Sequence, residues 1–112
     1  MAFDESVAAR VRKALVRRKG VTEKKMFGGI AFLLNGNMCC GVLGDVLVLR
    51  LGSEGASEAL REPHTRLMDF TGKPMKSMVY VAPAGFATDQ ALRSWLRLAI
   101  TFVSELPAQR RR

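Results

Sequence analysis

Three glycine-bearing breaks, Gly28-Gly29, Asn35-Gly36 and Gly44-Asp45, cut the stretch from Lys24 to Leu51 into four short segments. This punctuation constrains the fold more than any other feature. A two-residue turn of type I′ needs positive φ at both central positions, which Asn-Gly meets most readily, and Gly44-Asp45 suits a second tight hairpin. The stretch is therefore expected to form a meander of four antiparallel strands. Alternation is poor in Ile30-Ala31-Phe32-Leu33-Leu34 and in Val46-Leu47-Val48-Leu49. Both faces of these strands thus carry apolar side chains, and the second face calls for a cover.

The flanking segments carry the period of helices. Phe3-Asp4-Glu5-Ser6 opens one: Asp4 can accept hydrogen bonds from the first turn, and Phe3 is placed to staple onto Ala8. Val7, Val11, Ala14 and Leu15 recur at helical spacing, with Arg17, Arg18 and Lys19 at the favoured end of the dipole before Gly20 stops the run. Ser53 is expected to cap a short helix to Leu60, ended by Pro63. The turn-rich segment from Pro63 to Pro74 has room for a short strand ahead of a clearer one, Met78 to Val81, and Pro83-Ala84-Gly85 makes a turn. Thr88 then caps a last helix whose stripe of Leu92, Trp95, Leu96, Ala99, Ile100 and Val103 is wide enough to pack across a sheet. The expected fold class is α+β: a two-layer antiparallel sheet with helices, in the order helix, strands, helix, strands, helix. With 112 residues, 48% of them hydrophobic, the chain can bury one core and not two.

Ile30 to Leu34 and Val46 to Leu49 fall far short of the roughly 20 apolar residues that cross a bilayer, and Met1 to Lys13 lacks the apolar stretch of a secretory signal. No membrane association is expected, and the cytoplasm is the expected compartment. Cys39 and Cys40 are adjacent, a spacing that closes no loop and builds no paired metal site; both are expected as reduced thiols pointing to opposite faces of a strand. His64 is the single histidine, without visible partners for a metal site or a catalytic triad. No catalytic residue, cofactor or metal is expected.

Taken in order, Lys25-Met26-Phe27-Gly28-Gly29-Ile30, Asn35-Gly36, Leu47-Val48-Leu49-Arg50, Asp69-Phe70-Thr71-Gly72-Lys73-Pro74-Met75-Lys76 and the Trp95 helix resemble the N-terminal domain of the TfoX/Sxy family. The resemblance runs from Phe3 to Leu106. It implies a two-layer α+β domain, in a family named for a bacterial regulator of natural competence, and it brings no catalytic residues. Full-length members continue into a second, helical domain, whereas this chain reads as a single stand-alone domain over residues 1–109 with a disordered basic tail at 110–112. Met78 stands where an aromatic is expected after the Pro-Met-Lys element. The hallmark residues Met26, Phe27, Gly28 and Gly29 are read as structural. The glycines supply a bend or bulge at a strand end that lets Met26 and Phe27 turn into the core, since a phosphate-cradling loop would also need a Lys-Ser/Thr pair and a following helix.

Lysine and arginine number 18 against 10 acids, a net charge of +8, and three of those cations are the terminal Arg110 to Arg112. Arg10, Lys13, Arg17, Lys24 and Lys25 form the candidate surface for phosphates or a partner, with Arg18 and Lys19 among them. No aromatic residues interleave with these charges, and no helix-turn-helix spacing is present. Two functions remain open. The favoured one is a non-catalytic regulatory or protein-interaction module whose apolar sheet is covered by a protein partner or by a second copy in a homodimer. The alternative is nonspecific nucleic-acid binding through the basic first helix.

Overall fold

Backbone angles show how the meander closes. Asn35 and Gly36 take φ of 53° and 83°, the left-handed pair that a type I′ turn demands, and join β2 (Gly29–Leu34) to β3 (Asn37–Leu43). At the next turn Gly44 alone is left-handed, the pattern of type II′, and β4 (Val46–Arg50) follows. β1 (Val21–Met26) enters β2 through Gly28, with Met26 paired opposite Gly29. The computed structural model describes residues 3–26, 28–69 and 74–107. Two further strands, β5 (Thr65–Asp69) and β6 (Pro74–Val81), complete one open sheet of order β1-β2-β3-β4-β6-β5, with every pairing antiparallel. The clearer strand thus begins at Pro74, ahead of the expected Met78.

Three helices, α1 (Glu5–Leu15), α2 (Gly52–Ala59) and α3 (Asp89–Ser104), share one core with one face of this sheet. The sheet offers Ile30, Phe32, Leu34, Val42, Leu47, Leu49, Val79 and Val81. Val7, Ala8, Val11 and Leu15 come from α1, Ala56 and Ala59 from α2, and Leu92, Leu96, Ala99 and Val103 from α3, while Trp95 and Ile100 lie half-buried at the margin. The fold is α+β in the expected order of elements. Asp4 caps α1 by accepting from the N–H groups of Ser6 and Val7, and Thr88 Oγ1 caps α3 by accepting from Ala91 N. None of the described helices is long and apolar enough to cross a membrane.

Local expectations fail at four places. α1 stops at Leu15, so Arg17, Arg18 and Lys19 lie in the turn before β1; Val16 already faces solvent, and another helical turn would bury nothing. Ser53 does not cap α2, because the helix starts at Gly52. That glycine sits against the Phe102 ring of α3, where a Cβ would come within 2.5 Å of it. Cys39 and Cys40 do not point to opposite faces but are both buried in the helix-side core. Between the pairs Phe32–Cys40 and Leu33–Met38 the register slips, and Cys39 is the extra residue of a β-bulge. Met26 does not turn into the core: it is half-buried at the end of β1 and belongs to neither apolar cluster of the described residues. Phe27, residues 70–73 of the Asp69–Lys76 motif and the tail at 110–112 lie outside the described residues.

Candidate functional site: the open face of the sheet

Directly paired residues in a sheet share a face, so the registers sort every strand residue to one side or the other. The side away from the helices receives Ala31 and Leu33 from β2, Met38 and Leu43 from β3, Val46 and Val48 from β4, and Met78 and Tyr80 from β6. Val48, Met78 and Tyr80 form a second buried cluster there, and half-buried Met38, Leu43 and Val46 pack against it. Its described members come from strands alone. The doubly apolar strands foreseen in the sequence are thus real, and Met78 lies within the cluster.

Part of the cover comes from arginines on the same face. The Arg66 guanidinium lies 4.4 Å from the Tyr80 ring centroid, close enough for a cation–π contact, and Arg50 Nη1 donates to Met38 O at 3.4 Å. Lys24 joins them, since it pairs opposite Ala31. The result is an apolar patch with Lys24 on one edge strand and Arg66 on the other.

The sequence-derived basic surface is not brought together. Arg10 is engaged inside the molecule: its Nη2 donates to Phe86 O at 2.8 Å and meets Asp89 at 3.4 Å, and its guanidinium stands over the Phe86 ring. Lys13 is exposed on α1 and Arg17 in the turn after it. Lys24 and Lys25 point to opposite faces, Lys25 being paired with Ile30 on the helix side. Arg12, which no sequence pattern singles out, makes a bidentate pair with Glu23 at 2.7 and 2.9 Å, tying α1 to β1. Its hydrogen bond holds the Glu23 carboxyl below the usual range, while the arginine's own pKa is raised. Asn37 is likewise unmarked in the sequence; it is buried and donates through Nδ2 to Pro107 O at 2.9 Å, anchoring the chain beyond α3 to β3. Contacts between residues so far apart in sequence leave no periodic signal.

Gly28 makes the β1–β2 turn at φ 77°, and a Cβ on Gly29 would lie 2.4 Å from Val42 O, so these hallmark glycines serve the backbone. The Cys40 thiol is pushed well up by its hydrogen bond to Cys39 and by burial. His64 is exposed and lines a cleft of about 600 Å³ between α2 and α3, together with Glu58, Glu62, Trp95 and Leu98. Among the described residues no three His, Cys, Asp or Glu side chains gather as metal ligands.

A family model of the TfoX N-terminal domain matches residues 13–103. No curated protein and no solved structure matches the chain.

Proposed function

The chain belongs to the TfoX N-terminal domain family, and from that premise we propose that it is a non-catalytic protein-interaction module, docking through the open face of its sheet. Val48, Met78 and Tyr80 are themselves buried, and the half-buried rim of Met38, Leu43 and Val46 around them, with no helix among the described members, is the apolar surface left for a partner and the observation that carries this reading. Apolar surface on a soluble domain is stabilised when a partner removes it from water. A second copy of the same chain is the first occupant to test, because a two-fold interface sets this patch against itself. Lys24 and Arg66 stand on the edge strands β1 and β5, so in such a pair their charges remain in water, where salt screens them. In a family named for a regulator of competence, this activity amounts to regulation by contact, in the cytoplasm. Nonspecific nucleic-acid binding has less support, since Arg10 is engaged and Lys24 and Lys25 face apart.

Sedimentation equilibrium at tens of micromolar tests the proposal. The wild-type chain is expected as a dimer, insensitive to moderate salt, that buries on the order of 1,200 Å² or more. Met38→Glu and Val46→Glu, at half-buried positions that leave the main core untouched, are expected to yield folded monomers by circular dichroism. A monomeric wild-type chain at these concentrations contradicts self-association through this face.

A further inference from the structure

Between the end of α1 and the adjoining side of α3 lies a depression of about 190 Å³, on the helix side and away from the open sheet face. Among the described residues three arginines line it. Arg93 and Arg97 stand one turn apart on α3, and Arg18 arrives from the turn after α1. Its floor is apolar: Leu15 and Leu96 are buried and Ile100 is half-buried. Among the described residues no carboxylate lines it.

The contrast with neighbouring cations is informative. Arg10, further back between the same two helices, is paired with Asp89, and Arg12 is paired with Glu23. Among the described residues no carboxylate comes within ion-pairing distance of Arg18, Arg93 or Arg97. Three like charges gathered around one small hollow repel one another. A multiply charged anion turns that repulsion into attraction.

We infer that this depression binds one phosphate group, carried by a small phosphate ester or by a nucleic-acid backbone. Guanidinium groups present paired N–H donors that match phosphate oxygens, and three of them can serve a tetrahedral anion from three sides, whereas a planar carboxylate has only two oxygens to offer. All three guanidinium-bearing side chains are exposed, so the anion reaches them from solvent. This site is independent of the sheet-face reading and uses none of its residues.

The test is an NMR titration of the full chain with inorganic phosphate, run against chloride at matched ionic strength and read on arginine Nε–H signals and the Ile100 methyls. Saturating shifts confined to Arg18, Arg93, Arg97 and Ile100 are expected. Arg93→Gln/Arg97→Gln should weaken phosphate at least about tenfold, since each charge-assisted bond lost is worth that much. Arg61→Gln, beyond α2, should change nothing. A short DNA duplex then distinguishes the sources. If it displaces phosphate and loses affinity in the same double variant, the backbone is a source; if phosphate binds while the duplex ignores the variant, the ligand is a small ester. Equal shifts with chloride, shifts spread over all arginines, or an unchanged double variant would overturn the inference.

Discussion

Asp4 stands directly ahead of an apolar helical stripe, the place of a cap, and the Ser6 hydroxyl with the N–H groups of Val7 and Ser6 hold its carboxyl below the ordinary range. Glu23 is lowered too, by Arg12, but that partnership joins a helix to a strand across the fold and leaves no mark in the sequence pattern. A carboxyl whose pKa is lower in the folded chain than in the unfolded one stabilises the fold above its ordinary pKa, and that contribution is lost as pH falls through it. Stability should therefore decline below about pH 5, and Asp4→Asn and Glu23→Gln should each lower the denaturation midpoint at pH 7 while flattening its acid dependence. Trp95 is legible in the sequence as part of the apolar stripe, though not its half-buried position or its Nε1 bond to Gly85 O at 3.0 Å. Trp95→Phe, which keeps the apolar body and removes that donor, is expected to cost about 1 kcal/mol in urea denaturation.

At the scale of elements, legibility follows how local the cause is. The hairpins at Asn35-Gly36 and Gly44-Asp45 can be read from the sequence because turn chemistry resides in two adjacent residues, and the strand and helix periods are clear around them. The end of α1, the start of α2 and the bulge at Cys39 cannot, since each depends on what another element presents: solvent beyond Leu15, the Phe102 ring, the slipped partner strand. The bulge is what places two adjacent cysteines in one core. Cys40→Ser is expected to destabilise by about 1–3 kcal/mol, through a hydroxyl buried where a thiol packed. At the hallmark glycines, substitution is expected to reduce stability and to leave binding chemistry alone. Gly29→Ala should cost about 1–3 kcal/mol by the same denaturation measurement, because its Cβ must push β3 away at Val42 O.

Across the whole molecule, two apolar surfaces are foreseeable from the strands, but not which one the helices take. The register decides that, giving Ile30, Phe32, Leu47 and Leu49 to the helices and Val48, Met78 and Tyr80 to the open face. Charge is the harder matter, because helical and strand periods locate a residue on its own element and say nothing about what faces it. Arg10 is thus drawn into the fold, Lys24 and Lys25 part, and Arg18 lines one hollow with Arg93 and Arg97, from which it is distant in sequence. That the open face docks against its copy in a second chain is most directly tested by isotope-filtered NMR on a mixture of labelled and unlabelled chains at tens of micromolar. The predicted result is a set of intermolecular contacts from the Met38, Leu43 and Val46 methyl groups; intermolecular contacts that arise instead from Val16 or Leu98, or none at all, would contradict it.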